Sequence, residues 1–362
     1  MSSRLTISRT ALSQNYAAFQ KAANTTIAAV VKGNAYGVGV VEVVSTLIAQ
    51  GCVHFFVATT AEGVAIRRTL HGFTTIEPIN LYILEGALPG ELDTLVKYQL
   101  TPVLNTVKQI QDWQTLEQSC VVHVDTGMTR LGLDVDEAVA VIPGISCPVD
   151  YVMTHFAQAD EPHNPRSQQQ VHIFQNLLEM LKQNGFETKV SLSNSAGLLQ
   201  GGASHYGLEE QLGRAGVGLY GANPFAEQTN PMLPVASLSA QILQLRTVQK
   251  GTAIGYGGAY RTTKEMDIAT VGVGYADGLP RLLSSHGVVW AAQQKCAIVG
   301  RVSMDTITVD VTDVDVHEGD WVEVFGANIS VDDVAAQAQT IGYEILTGIS
   351  ERVPRHYIDQ LL

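Results

Sequence analysis

With 362 residues, 46% of them hydrophobic and 16% charged, the chain carries enough apolar material for two domains with sizeable cores, which excludes a disordered protein. The net charge of −13 argues against a nucleic-acid binder or a protein drawn to an anionic membrane surface. No apolar run approaches a membrane span, the N-terminus has no apolar signal core, and the four scattered cysteines form no Cys-x-x-Cys pair, so a cytoplasmic protein with free thiols is expected.

In chain order, Leu12, Tyr16 and Phe19 form a helical stripe ahead of the first apolar run. Eight such runs follow: Thr26–Val31, His54–Ala58, Asn80–Leu84, Leu100–Leu104, Val121–Asp125, Tyr151–Thr154, Lys189–Leu192 and Leu212–Val217. They lack strict alternation, as expected of strands buried on both faces. Helical patterns lie between most of them, with Val40, Val44, Leu47 and Ile48 on one face and Val171, Phe174, Leu177, Leu178 and Leu181 on another. This α/β alternation predicts a (β/α)8 TIM-type barrel, with a doubly wound open sheet as the rival. After Tyr220 the pattern changes. Pro224, Pro231 and Pro234 punctuate a helix-free stretch, and strand-like runs follow at 237–248, 266–273, 288–290, 295–298, 306–311 and 321–325. Ser330 and Asp333 suggest a capping box before a helix extending to Ile341. Two domains are expected, a barrel over 1–230 and a mainly-β domain over 231–362.

A barrel should carry its chemistry at the carboxyl ends of its strands. Lys32 ends the first run and enters a glycine-bracketed turn, Lys32-Gly-Asn-Ala-Tyr36-Gly-Val-Gly39. An amine so placed is either a surface charge or one held to form a Schiff base with a carbonyl compound such as pyridoxal phosphate. Arg130 lies on a loop over the mouth, where a guanidinium suits a carboxylate. Arg214 lies within an apolar strand and needs partners, either structural or a ring nitrogen or carboxylate inside the barrel. The run Gly216-Val-Gly-Leu-Tyr-Gly221 fits the dinucleotide glycine pattern, but Asn223-Pro224 blocks the helix that pattern requires and no acidic residue follows in Ala236–Leu243. A tight turn, or a phosphate held by backbone N–H groups with the Ser195 hydroxyl, remains. His155, Asp160 and His163 match no standard metal spacing, so no metal is expected there. In the second half, Gly255-Tyr256-Gly257 presents a phenol between glycines, which is either a hairpin tyrosine or a base activated by nearby positive charge.

These motifs occur in one order, and together they resemble the alanine racemase family over nearly the whole chain. The residues that carry the resemblance are Val31-Lys32-Gly-Asn-Ala-Tyr36-Gly, Asp125-Thr-Gly-Met-x-Arg130-Leu-Gly, Thr154-His155-Phe-Ala, Asn194-Ser195-Ala, Arg214-x-Gly216, Tyr220-Gly221, Tyr256-Gly257, Gly274-Tyr275-Ala-Asp277-Gly278, Met304-Asp305 and Arg352-Val-Pro-Arg355. The resemblance implies a pyridoxal 5'-phosphate enzyme that interconverts L-alanine and D-alanine. Lys32 would be the Schiff-base lysine and the base on the D-alanine side, and Tyr256, acting in the neighbouring subunit, the base for L-alanine. Tyr36, Ser195, Gly216 and Val217 would hold the phosphate. Arg214 would face the pyridine nitrogen, with His155 linking it to Tyr256. Arg130 and the backbone of Met304 would bind the substrate carboxylate, and Tyr275 would narrow the entrance. A homodimer with shared active sites follows.

The chain departs from the commonest family pattern at three positions. His123 stands where many relatives carry a carbamylated lysine that orients the equivalent of Arg130, so another group must do so here: His123 itself, an anion or water. Val38 replaces a frequent histidine. Glu351 stands where some relatives have a tyrosine, and it is expected to point away from the site or to pair with an arginine. The rivals are a small-amino-acid racemase that also accepts serine, a barrel-type decarboxylase, and a pyridoxal-phosphate-binding protein without turnover.

Overall fold

The computed structural model describes residues 2–70 and 78–362. All eight apolar runs form strands: β2 (Thr26–Val30), β3 (His54–Val57), β4 (Asn80–Ile83), β5 (Thr101–Leu104), β6 (Cys120–His123), β7 (Val149–Met153), β8 (Lys189–Ser191) and β9 (Leu212–Ala215). Neighbours pair in parallel through β8-β7-β6-β5-β4-β3-β2-β9. The seam between β8 and β9 is closed by Gln211 N–H donating to the Val190 carbonyl (3.0 Å) and Arg214 N–H to the Ser193 carbonyl (2.9 Å). The sheet is therefore a barrel, and the open-sheet rival is excluded.

The outer helices bury most of the expected stripes, with Val43 buried where Val40 was expected and with Val40, Ile48 and Leu178 only half-buried. Arg9–Ala22 starts where Ser8 Oγ accepts the Ala11 N–H and buries Leu12, Tyr16 and Phe19. Val40–Ala49 buries Val43, Val44 and Leu47, and Arg166–Gln183 buries Val171, Phe174, Leu177 and Leu181. Burying one such aliphatic or aromatic side chain contributes about 1.5–3 kcal/mol, so each stripe suffices to dock its helix.

The second sheet is built from β1 (Ser3–Ser8), β10 (Ala236–Val248), β13 (Met266–Val271), β14 (Val288–Ala291), β15 (Gln294–Ala297), β16 (Ile307–Asp310), β17 (Trp321–Phe325) and β18 (Arg355–Ile358), and a short hairpin pairs β11 (Ala253–Ile254) with β12 (Tyr260–Arg261). β1 carries no expectation from the sequence. It runs antiparallel to β10 and parallel to β18, so the chain starts in the second sheet before it enters the barrel. The Ser330–Asp333 capping box is present, but its helix ends at Gln337 rather than reaching Ile341. A separate short helix, Gly342–Thr347, follows and rests against the barrel turn that carries Lys32. Among the described residues no helix is long and apolar enough to cross a membrane.

Candidate active site at the barrel mouth

Lys32 leaves β2 after one residue and opens a turn with an unusual backbone. Gly33, Asn34, Ala35 and Tyr36 are consecutive left-handed residues, with φ of 62°, 55°, 54° and 54°, and Gly37 closes the turn at φ 82°. Left-handed helical geometry costs roughly 1–2 kcal/mol for each non-glycine residue. Asn34, Ala35 and Tyr36 therefore store several kcal/mol, which the surroundings must supply. Gly33 N–H donates to Glu62 Oε1 (2.6 Å), and Asn34 Oδ1 accepts the N–H of Val40 (2.9 Å). The Tyr36 ring stacks on Tyr220 with centroids 4.7 Å apart and leans on Tyr343 at 6.1 Å. The turn sets Lys32 partly below the surface. Burial and the charge of Arg130 lower its pKa, against an opposing pull from Glu62. An amine with a lowered pKa spends more time in the neutral, nucleophilic form.

Tyr36, Ser195 and Gly216 converge beside this turn. A Cβ built on Gly216 would lie 2.9 Å from the Tyr36 hydroxyl and 3.8 Å from Ser195 Oγ, so glycine keeps open the space between two hydroxyls. Ser195 Oγ accepts N–H bonds from Gly216 (2.8 Å) and Gly218 (3.4 Å), which leaves its own proton free to donate. The Tyr36 hydroxyl makes no hydrogen bond to a described residue, and burial raises its pKa, so it stays a neutral donor. Val217 opens the short helical turn Val217–Tyr220 on the same segment. Two free hydroxyl donors over an emptied glycine position suit an anion such as a phosphate.

Arg214 crosses the barrel interior from β9, only 3% exposed. It donates to Ser191 Oγ, to the carbonyls of Thr154 (2.6 Å) and Leu192 (3.0 Å), and to His155 Nδ1 (3.0 Å). Burial pushes its pKa down to about 10, which leaves it charged at neutral pH. Guanidinium has no acceptor, so His155 must present a lone pair at Nδ1 and carry its proton on Nε2. Burial and the charges of Arg214 and Arg130 hold His155 well below its usual pKa, so the ring is neutral and its Nε2–H is available to a further partner.

His123, at the end of β6, bonds through Nδ1 to Asn105 Oδ1 at 2.9 Å. Asn105 spends its amide donors on the carbonyls of Leu84 and Val103, so its oxygen accepts and His123 Nδ1 donates. Burial and the charge of Arg214 push the His123 pKa down to about 4. The ring is therefore neutral, with its lone pair on Nε2. Arg130 extends from a loop tied by the Asp125 carboxylate, which accepts the N–H groups of Gly127, Met128 and Thr129 at 2.7–2.8 Å. The Arg130 side chain is exposed and makes no hydrogen bond or ion pair with a described residue.

Three of the expected residues lie on the second domain with exposed side chains: Tyr256 (71%), Met304 (52%) and Tyr275 (44%). Tyr256 is carried on a turn with Gly255 and Gly257 at φ 71° and 69°, and its phenol has no hydrogen bond or ring contact among the described residues. Tyr275 and Met304 occupy adjoining loops, joined by Tyr275 N–H to the Ser303 carbonyl (3.0 Å) and Ala276 N–H to the Met304 carbonyl (2.9 Å). Arg352 bridges the same loops, pairing with Asp277 (2.8 Å) and Asp305 (2.9 Å). Thus one chain gathers Lys32, Tyr36, His155, Ser195, Arg214, Gly216 and Val217 at the mouth and leaves the second phenol outside. Glu351 is exposed and forms no ion pair among the described residues, although its charge reaches Arg355. His155, Asp160 and His163 do not form a ligand set: among the described residues no three His, Cys, Asp or Glu side chains are placed to hold a metal ion. Glu62, Asn105, Ser191 and Tyr343 carry no signal in the sequence. Each acts on a partner that only the fold brings near: Glu62 on the Gly33 N–H, Asn105 on the His123 ring, Ser191 on the Arg214 guanidinium and Tyr343 on the Tyr36 ring.

Residues 7–224 match the family model described as alanine racemase, N-terminal domain, and residues 235–357 match the model described as alanine racemase, C-terminal domain. A Rhizobium johnstonii protein named "Alanine racemase, catabolic" is 39% identical over 342 residues, covering 91% of this chain and 87% of the relative. A Rhizobium meliloti protein named "Alanine racemase" is 37% identical over 382 residues, covering 99% and 97%. Among solved structures, alanine racemase from Bartonella henselae with covalently bound pyridoxal phosphate superposes with a TM-score of 0.91 at 33% identity, covering 99% of this chain and 100% of that one.

Proposed function

The chain belongs to the alanine racemase family, and from that premise we propose how its residues share the work. It is a pyridoxal-phosphate enzyme that interconverts L-alanine and D-alanine. When bound, the cofactor supplies an aldehyde for an amine and an electron-withdrawing ring that acidifies the α-hydrogen of an attached amino acid.

Every other role falls to the protein. Lys32 would hold the cofactor through Nζ and, once the substrate amine has displaced it, the freed amine would take or return the α-proton on one face of the substrate. Tyr36 and Ser195 would donate their free hydroxyl protons to the phosphate, with the Val217 N–H beside them, while Gly216 keeps the space open and its N–H holds Ser195 Oγ in place. Arg214 would hold a permanent donor toward the ring nitrogen and so keep that nitrogen unprotonated. Arg130 and the Met304 backbone take the substrate carboxylate, and Tyr275 crowds the entrance. The second base is Tyr256 of the partner subunit. Its phenol would reach His155 Nε2–H, whose other nitrogen already leans on Arg214, so the proton it takes or gives would move beside a fixed positive charge. The enzyme is thus a homodimer with shared sites, in which the barrel of one subunit meets the second domain of the other, and it works in the cytoplasm.

The observation that carries this reading is the convergence of the free Tyr36 and Ser195 hydroxyls on the open Gly216 position beside the turn of Lys32. Adding pyridoxal phosphate to the cofactor-free protein, reducing with borohydride and mapping the modified peptide tests it. The cofactor mass belongs on Lys32, and a label on any other lysine refutes the assignment. Mixing Lys32→Ala with Tyr256→Phe tests the shared site. Heterodimers should regain activity, because one of their two sites has both bases. Verified subunit exchange without recovery refutes the sharing.

A further inference from the structure

The left-handed turn after Lys32 is held from two sides. The barrel grips its start, where the Glu62 carboxylate accepts the Gly33 N–H. The second domain grips its end. Arg355, on β18, donates to the Gly37 carbonyl from both Nε (3.3 Å) and Nη2 (2.9 Å). The remaining donors of the same guanidinium go to the carbonyls of Ile349 (2.9 Å), Ser350 (2.6 Å) and Val353 (2.8 Å). Arg355 therefore stitches the end of the turn to the segment that follows the helix Gly342–Thr347. Tyr357 adds a second stitch through its hydroxyl to the Val38 carbonyl (2.9 Å). The segments approach too closely for side chains: a Cβ on Gly37 would collide with the Leu346 backbone carbonyl, and one on Gly39 with the Tyr357 side-chain hydroxyl.

This arrangement has an unusual charge pattern. Arg355 forms no ion pair among the described residues and spends its donors on neutral carbonyls. A planar fork with five donors can span four carbonyls at once, and a lysine ammonium with three donors on a flexible stem cannot. Three residues of the turn it holds, Asn34, Ala35 and Tyr36, would left alone favour right-handed or extended backbone.

We infer that Arg355 is a positioning residue for the cofactor lysine: through the Gly37 carbonyl it holds the strained Gly33–Gly37 turn in the conformation that sets Lys32 and the Tyr36 hydroxyl for the cofactor. The inference rests on the reading of Lys32 as the cofactor lysine. Without the clamp the turn relaxes in part of the population, and apparent cofactor affinity falls in proportion to the fraction that still holds it. If one molecule in ten keeps the turn, the dissociation constant rises about tenfold.

The test compares two arginines of similar chemistry. Arg67 also caps carbonyls, those of Ile79 (3.0 Å), Tyr98 (3.0 Å) and Gln99 (2.7 Å), but at the opposite end of the barrel. Arg355→Lys, Arg355→Gln and Arg67→Lys are prepared free of cofactor and titrated with pyridoxal phosphate, following the absorbance of the lysine-linked cofactor and its change with pH. Both Arg355 variants should bind about tenfold or more weakly and shift that pH profile, while Arg67→Lys loses thermal stability and binds as wild type does. Equal dissociation constants and profiles for Arg355→Lys and Arg67→Lys overturn the inference. If neither Arg355 variant folds, Tyr357→Phe decides: a smaller loss of affinity in the same direction supports the clamp, and wild-type affinity overturns it. A wild-type protein that takes up no cofactor on Lys32 refutes the underlying reading instead.

Discussion

Gly216→Ala isolates the anion cradle. The new methyl would stand 2.9 Å from the Tyr36 hydroxyl, which closes the space a phosphate oxygen needs, and 3.8 Å from Ser195 Oγ, which is ordinary contact. To make room the Tyr36 ring, stacked on Tyr220, must shift by a few tenths of an ångström, so the cost to the cofactor-free fold should be about 1 kcal/mol. The bound state loses at least one hydrogen bond to a charged acceptor, worth about 1.5–3 kcal/mol. At 1.4 kcal/mol per decade, that is roughly a 10- to 150-fold rise in the dissociation constant for pyridoxal phosphate. Equilibrium dialysis of the cofactor, paired with urea unfolding of the cofactor-free protein, separates the two quantities. Gly144→Ala is the control, since a Cβ there meets nothing within 4 Å. Unchanged cofactor affinity in Gly216→Ala, or a loss of fold stability as large as the loss in binding, would refute the cradle.

Two further outcomes follow from the buried polar groups. Arg214→Met leaves the Thr154 and Leu192 carbonyls and Ser191 Oγ without their donor. At about 1–3 kcal/mol for each stranded group, urea unfolding should show a loss of several kcal/mol, and a loss below about 1 kcal/mol would contradict the network. His123 has a folded pKa of about 4, below the ordinary histidine value near 6.5. Between those values the unfolded chain binds more protons, so the contribution is complete above about pH 6.5 and is lost as pH falls toward 4, by at most about 3 kcal/mol. Buried His155 adds loss of the same sign. His123→Gln should flatten this acid limb without abolishing it, and an unchanged slope in urea midpoints between pH 7 and 5 would show that His123 is not buried neutral.

The barrel was legible because each of its strands is a short apolar run followed by a polar break, and strands buried on both faces need such runs wherever they lie. Candidate site residues were legible where a polar side chain interrupts an apolar pattern: Lys32 and Ser195 after their strands and Arg214 within one, while Tyr36 was marked only by the family resemblance. The site was illegible where a side chain works on another segment's backbone. Glu62 on the Gly33 N–H and Arg355 on the Gly37 carbonyl look like surface charges in the sequence. Asn105 looks like an ordinary turn residue, yet it fixes which nitrogen of His123 bears the proton. β1 was missed although Leu5 and Ile7 alternate with polar residues, because its partner strands β10 and β18 lie more than two hundred residues later.

That first strand has a consequence for how the protein is made. Leu5 aligns with Arg355 and Ser8 with Ile358, so two strands about 350 residues apart in the sequence lie side by side in one sheet. At a synthesis rate of about 5–20 residues per second, the opening segment leaves the ribosome many seconds before its final neighbour exists. In that interval the barrel can close, while β1 waits with unpaired backbone groups open to any other chain nearby. Crowded nascent chains would therefore exchange this strand more readily than finished molecules do.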